Sequence, residues 1–425
     1  MELGLNVLFA SIQIIFAILV LMILILATLA IRSWSKGNNL ISRFADENKF
    51  HSMTIVLPTW NEEILILSKL KDILIQDYPK NLLEVIIIDA GSSDSTLKIV
   101  NNWKNNYDFS SGLKFKLIEE GKRMGKSVSI NRAFSEADES SEILMMSDID
   151  CRLSPGTLKS ISDNFLDPSI GAVTARQILL NRDFSALTKY ESNYRDFYTK
   201  IRIAESKLDS TPIFHGECSA YRRSSIEGYK IVENSNADDS QMAVITRIAG
   251  YKAIYDENIT FYEMAPPDSK SSRIQKIRRA QGLSRHFWRN KNLLFSREIG
   301  NFRRIISLEF SLHIFLPWFV ILGFISGFCH IGSIIFLDYY SHEVWKFYLF
   351  EQILLLIDIT VITLLLFGRL NINFPLSTTV YAFYQYMIIL FISQIRILSG
   401  NSLHLWQQVS EVRESLRDYD ENIKK

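Results

Sequence analysis

The chain is poor in cysteine, with three residues in 425: Cys151, Cys218 and Cys329. Their spacings are unrelated, which excludes a disulfide framework and a cysteine-ligated zinc site and fits reduced thiols in a cytosolic or membrane setting. Net charge is also scarce, +1 from 47 basic and 46 acidic side chains, so composition carries no signature of nucleic-acid binding. There is no internal repeat and no low-complexity tract. No Lys or Arg precedes the first long apolar run, whose front carries Glu2; a secretory signal would need a basic front and a shorter core. A nucleotide P-loop is missing as well. The run Gly121-Lys122-Arg123-Met124-Gly125-Lys126-Ser127 is one residue short, because the position that needs glycine is Glu120, and a P-loop ATPase is thereby excluded.

What the chain does have is segregation, with apolar ends around a mixed middle. Val7 to Ile31 is nearly unbroken Ile, Leu, Ala and Phe, longer than the ~20 residues that cross a bilayer. Arg32, Lys36 and Arg43 follow it, which places the N-terminus outside and the middle in the cytoplasm by the positive-inside rule. At the other end, His313 to Phe336 and Phe347 to Phe367 are candidate spans. Pro375 to Leu398 is wetter, with Gln385, Gln394 and Arg396. Ahead of them, 297–312 carries Arg303, Arg304 and Glu309 among apolar residues and reads as an amphipathic helix at the membrane surface. The expected division is an N-terminal transmembrane helix over 1–35, a cytosolic domain over 50–292, an interfacial helix over 297–312, transmembrane segments over 313–400 and a polar tail over 401–425. Three full spans put the tail outside. Its Arg413, Arg417, Lys424 and Lys425 favour inside, which a re-entrant or interfacial third segment would allow. Asp358 lies mid-span, where an ionisable group is costly; it either serves function or pairs with a polar group of a neighbouring helix.

Between the ends, β-rich runs alternate with helical ones. Strands are expected at Met53–Leu57, Glu84–Ile88, Phe115–Ile118 and Ile143–Met146, with helices at Leu65–Ile75, Thr96–Trp103 and Ser127–Ala137. Alternation of this kind argues for a parallel, doubly wound α/β sheet, whose ligands bind beyond the carboxyl ends of the strands. Polar clusters stand there. Pro58-Thr59-Trp60-Asn61-Glu62-Glu63 closes the first strand, and reads equally as a helix N-terminus with acids in its first turn. Asp89-Ala90-Gly91-Ser92-Ser93 closes the second. Ser93, Asp94 and Thr96 suit helix capping, whereas Asp89 is placed to accept hydrogen bonds from a base or ribose. Gly125-Lys126 opens a helix, where backbone N–H groups and the helix dipole favour an anion, and Lys126 or Arg123 can face a phosphate.

The most informative segment is Ser147-Asp148-Ile149-Asp150, at the end of the fourth strand and followed by Cys151 to Pro155, which read as a turn. A chain turning at a strand end can aim both carboxylates at one spot, a donor set for a hard divalent cation that in turn holds a diphosphate. Further on, Asp238-Asp239 precedes an apolar-periodic helix through Ile248. N-capping explains one aspartate; a second can act as general base toward a hydroxyl. Gln275-Lys276-Ile277-Arg278-Arg279 reads either as a basic helix near lipid or as a guanidinium clamp on a leaving diphosphate.

In this order and spacing, the motifs resemble a membrane-bound family 2 glycosyltransferase, related to the cellulose, chitin and hyaluronan synthases and the polyprenyl-phosphate glycosyltransferases. The resemblance covers nearly the whole chain. Pro58 to Glu62 is similar to the family's PxxNE, Asp89 to Ser92 to its DxGS, Gly125 to Asn131 to its GKxxAxN (departing at the alanine), and Asp148 to Asp150 to its DxD. Gly216 to Arg223 is similar to the stretch lining the acceptor side, and Asp238-Asp239 stands where the family has Glu-Asp. Gln275 to Arg279 stands at QxxRW, with Arg279 in place of tryptophan, a departure that argues against processive chain extension.

The resemblance implies an α/β GT-A fold, a Rossmann-like nucleotide-sugar-binding domain between an N-terminal transmembrane helix and a C-terminal transmembrane helical region. It implies Mg²⁺ or Mn²⁺ on Asp150 and Asp148, and Asp239 as base beside Asp238. Nucleotide-sugar contacts would come from Pro58, Glu62, Asp89, Lys126, Asp148, Gln275, Arg278 and Arg279. The expected donor is a nucleotide-diphosphate sugar, with uridine favoured. The expected acceptor is a lipid-linked saccharide, another saccharide or a polyprenyl phosphate, presented at membrane lipid. The expected location is the plasma membrane, multi-pass, with a cytoplasmic catalytic domain. The alternatives are a processive synthase that exports its polymer and a non-catalytic nucleotide-binding scaffold.

Overall fold

The computed structural model describes residues 2–37, 49–182, 186–233, 235–266, 269–341, 349–370, 372, 374–401 and 410–423. Arg43, residues 347–348 of the second expected C-terminal span, and Lys424 with Lys425 lie outside the described residues.

Two compact units are present, with boundaries inside the first helix, near residue 306 and near residue 402. The first unit is helical: α1 (Glu2–Trp34) at one end of the chain and, at the other, three helices taken up below. The second carries the sheet. In chain order it holds β1 (Met53–Thr59), α2 (Ile66–Leu74), β2 (Leu83–Asp89), α3 (Thr96–Asn106), β3 (Lys114–Glu119), α4 (Lys126–Ser135) and β4 (Ile143–Met146). Then come β5 (Cys151–Leu153), α5 (Thr157–Asn164), β6 (Ile170–Leu179), α6 (Ala186–Leu208), β7 (Ser219–Arg222), α7 (Arg223–Ile226), α8 (Asp238–Ile248), β8 (Lys252–Glu263) and α9 (Ser269–Arg289).

The eight strands form one sheet in the order β3-β2-β1-β4-β7-β6-β8-β5. The β3-β2-β1-β4 half is parallel and wound as expected. Alternation places Met53, Ile55, Leu57, Val85, Ile87 and Met145 on one face, and Val56, Ile86, Ile88, Leu144 and Met146 on the other. Successive strand residues point to opposite faces, and both faces are covered, so these strands read as continuous apolar runs. Burying each such side chain stabilises the fold by about 1.5–3 kcal/mol.

Two expectations need correction. The sheet is mixed, because β7 runs antiparallel to both β4 and β6. Cys151 to Leu153 is the edge strand β5, antiparallel to β8, and not the turn that its position suggested. Pairing with Phe261 to Glu263, more than a hundred residues away, holds this segment extended.

The chain passes the unit boundary within α10 (Phe302–Phe310), which runs through one π-turn at Ser311–Phe315 into α11 (Leu316–Ser341). The helix read at 297–312 is therefore not separate from the span that follows it. The π-turn loosens the carbonyls of its own ladder. Gln394 Nε2 donates to His313 O at 3.1 Å, and Trp318 Nε1 donates to Gln394 Oε1 at 3.0 Å. Gln394 belongs to α13 (Ser377–Leu398), which packs against α12 (Leu349–Arg369). Asp358 on α12 accepts from Gln13 Nε2 of α1 at 2.6 Å, so it pairs with a neighbouring helix. Among the described residues, four helices are long and apolar enough to cross a membrane: Leu5–Trp34, Phe302–Phe336, Leu349–Arg369 and Ser377–Leu398. The tail holds a last helix, α14 (Ser410–Ile423), whose Val412 and Leu416 lie in the core of the sheet-bearing unit.

Candidate active site

Beyond the carboxyl ends of β1 and β4 lies an open cleft lined by Pro58, Trp60, Ala90, Arg123, Lys126 and Asp148. Its rim comes from three tight loops. Asn61, with φ of 55°, adopts the left-handed conformation that Asn tolerates. Its side-chain oxygen accepts from Ser93 N at 2.8 Å, and Glu63 accepts from Ser95 N at 2.9 Å, so the first loop is stitched to the second. Asp89 is buried at the tip of β2 and accepts from Gly91 N at 3.0 Å, Ser92 N at 2.9 Å and Ser92 Oγ. Both its oxygens are engaged by its own loop, leaving only the remaining lone pairs for a ligand. Arg123 stacks 3.8 Å over the Trp60 ring, a flat cationic face at the cleft mouth.

The charged centre is assembled from elements far apart in the chain. Gly125 caps α4 with φ of 105°, which delivers Lys126 as the first helical residue. Lys126 Nζ lies 2.7 Å from Asp148 Oδ1 and 3.8 Å from Asp238 Oδ2. Burial opposes the charge of Lys126, but Asp148 and Asp238 outweigh it and hold the pKa above the usual lysine value. Asp148 is itself pushed up by burial, against Lys126.

Asp238 and Asp239 open α8. Asp239 Oδ1 accepts its neighbour's amide, Ser240 N, at 2.8 Å, and burial followed by Asp238 raises its pKa to about 7. Gly216 sits between these groups. A Cβ there would stand 3.2 Å from Lys126 Nζ and 3.7 Å from Asp239 Oδ2, so a side chain would intrude on their approach.

Around Asp150 the sign of the field reverses. Its Oδ2 lies 3.3 Å from Arg413 Nη1 of α14. Burial works against ionisation, yet Arg413 and then Arg279 hold Asp150 below its usual pKa. Glu62, fully buried, accepts from Arg413 Nη2 at 2.8 Å. On α9, Gln275, Arg278 and Arg279 share one face at i, i+3 and i+4. Arg279 Nη2 lies 3.1 Å from Glu217 Oε1 and 3.9 Å from Glu263 Oε1. Burial, and then Arg279, lowers the pKa of Arg278 to about 10, while burial raises that of Glu263 to about 8.

Thus Lys126, Asp148, Asp238 and Asp239 form one group, and Asp150, Glu62 and Arg279 belong to an arginine-rich flank. Pro58 lines the cleft, and Asp89 is tied into its own loop. Sequence reasoning missed Glu217, Glu263 and Arg413. Glu217 follows the noted Gly216 and was within reach of it; the other two carry no local motif.

Comparison with known proteins bears on this geometry. Residues 54–230 match the family described as "Glycosyl transferase family 2", and residues 143–393, more than half of the chain, match "Glycosyl transferase family group 2". The chain is 25% identical over 280 residues to a poly-beta-1,6-N-acetyl-D-glucosamine synthase of Staphylococcus epidermidis, covering 64% of this chain. It thus spans a little under two thirds (65%) of that relative's length. It is 27% identical over 240 residues to the probable glycosyltransferase YdaM of Bacillus subtilis, covering 54% of each. Among solved structures it is similar to the mannosyltransferase PcManGT from Pyrobaculum calidifontis in complex with GDP-Man and Mn2+. There the TM-score is 0.71 at 26% identity, covering 92% of this chain and 99% of the other.

Proposed function

We propose, because this chain belongs to the family 2 glycosyltransferases, that it moves a hexosyl or N-acetylhexosaminyl group from a nucleoside-diphosphate sugar to a membrane-associated saccharide or polyprenyl-phosphate acceptor, with inversion. The family makes it an enzyme with a GT-A fold, which sets aside the reading as a non-catalytic scaffold. The observation that carries the rest is the approach of Asp239 to the Lys126–Asp148 pair across Gly216.

In this reading Asp239 takes the proton of the acceptor hydroxyl. The freed oxygen pair forms a bond to the anomeric carbon as the bond to the diphosphate breaks on the opposite face, and that electron pair leaves with the nucleoside diphosphate. A single displacement inverts the anomeric centre. Lys126, Arg278 and Arg279 stabilise charge developing on the leaving group, and Arg123 on Trp60 borders the donor. Asp148 and Asp150 are hard oxygen donors with no soft ligand among them, and would be the residues to hold Mg²⁺ or Mn²⁺. Such an ion, when bound, neutralises the diphosphate. The Mn2+ named with the similar mannosyltransferase supports this donor set.

The staphylococcal relatives favour a second reading, a polysaccharide synthase; Arg279 in place of tryptophan favours a single transfer. In both readings the apolar helices anchor the enzyme in the plasma membrane with the catalytic unit cytoplasmic. The test is release of nucleoside diphosphate by the purified protein in lipid, screened with UDP-, GDP- and dTDP-sugars and Mn²⁺ or Mg²⁺, with any product sized. Release that is lost in Asp150→Ala and Asp239→Asn is expected. Undiminished release in Asp239→Asn would remove the base from the mechanism.

A further inference from the structure

We infer that Arg413, carried by α14, is a positioning residue of the donor site that acts through Asp150. The inference rests on the reading of Asp150 as a cation ligand.

The helix α14 is built to enter the catalytic unit. Val412, Arg413, Leu416, Tyr419 and Asp420 recur at helical spacing on one face. Leu416 is fully buried and Val412 nearly so, and Tyr419 packs against the same core. Two ion pairs fix its direction. Asp420 receives Arg152 Nη2 at 2.8 Å, and Arg152 stands on β5, two residues after Asp150. Seven residues earlier on the same face, Arg413 is 4% exposed and spans two carboxylates: Glu62 at 2.8 Å and Asp150 at 3.3 Å.

The two contacts differ in kind. Glu62 is fully buried and takes Arg413 Nη2, an anchor that satisfies the guanidinium charge. Nη1 extends from that anchor to within 3.3 Å of Asp150 Oδ2. The rigid fork of Arg suits such bracing, because its nitrogens are coplanar and fixed relative to one another. The contact orients the Asp150 carboxylate through one oxygen, Oδ2. Groups that orient a ligating carboxylate in this way typically change metal affinity 10–100-fold when removed.

The measurement is Mn²⁺ binding in the presence of UDP, followed by electron paramagnetic resonance on the full-length protein in lipid, with no turnover required. Arg413→Gln is expected to weaken Mn²⁺ binding ~10–100-fold, and Arg413→Lys to recover part of it. Asp420→Asn serves as the structural control: it loosens α14 through Arg152, and is expected to lower the melting temperature while keeping wild-type Mn²⁺ affinity. Equal losses in Asp420→Asn and Arg413→Gln would reduce Arg413 to a structural anchor and overturn the inference. Tighter Mn²⁺ binding in Arg413→Gln would overturn it too, by making the guanidinium a competitor for Asp150. Failure of the wild-type protein to bind Mn²⁺, or retention of binding in Asp150→Ala, would instead overturn the reading of the site, and this inference with it.

Discussion

At the scale of single residues, the site works by letting burial and neighbouring charge pull like side chains apart. Asp239 is raised to about 7 by burial and Asp238, whereas Asp150, equally a carboxylate, is held low by Arg413 and Arg279 against its burial. The first is tuned to take a proton near neutrality and the second to stay charged. The expected kinetic result is that kcat/KM rises with pH through about 7 and that Asp239→Asn lowers kcat by ~10²–10⁴-fold with circular dichroism unchanged. A pH profile of Asp239→Asn that kept the same limb would assign it to another group. The linkage has a definite sign: a carboxyl that binds its proton more tightly when folded adds stability below its unfolded pKa, and that contribution is lost as pH rises toward 7. Asp239→Asn should therefore flatten the fall in melting temperature between about pH 4 and 7. Gly216→Ala makes a separate point. Its new Cβ meets the flexible tip of Lys126 at 3.2 Å, so the expected result is reduced turnover with an unchanged melting temperature.

At the scale of elements, most strand tips were readable because continuous apolar runs end in polar clusters at β1, β2 and β4. The DxD segment was placed correctly beyond β4, but Cys151 to Leu153 was not, since a three-residue strand has no periodicity to detect. Its conformation comes from pairing with β8. The same limit hid α14, whose mixed stripe of Arg413, Leu416 and Asp420 looks like a solvated tail until its partners are known. In the helical unit, α12 and α13 pack unusually closely where Gly368 stands. A Cβ there would lie 2.5 Å from Tyr381 Cβ and 2.6 Å from Ser377 O. Gly368→Ala is thus expected to destabilise this hairpin by about 1–3 kcal/mol through overpacking, seen as a lower melting temperature in lipid. An unchanged melting curve would mean that the two helices can shift apart freely.

At the scale of the molecule, the tail bears on a question that counting apolar runs left open. A helix whose Leu416 is fully buried in the core of the catalytic unit must lie on the same side of the membrane as that unit. Among the described residues, three helices able to cross stand between residues 302 and 398, and three crossings would separate the two. We therefore expect two crossings, with α13, the wetter helix carrying Gln385, Gln394 and Arg396, not traversing. Fluorescence from a green fluorescent protein fused after Lys425, with no activity from alkaline phosphatase at the same point, is the expected pattern. The reverse pattern would place the tail outside.

Local pattern by itself determined the apolar ends, the alternating α/β core, the strand-end positions of Asp89, Asp148 and Asp150, and the helix-start positions of Lys126 and Asp239. Each of these is written in neighbours a few residues apart, where strand and helix periods act. Only the tertiary structure decided that β7 runs antiparallel, that Cys151 to Leu153 is a strand, and that Glu62 and Asp150 share Arg413. Those outcomes depend on pairings between residues tens to hundreds of positions apart, whose free energy comes from burial and charge neutralisation in the folded state. No short stretch of sequence carries them.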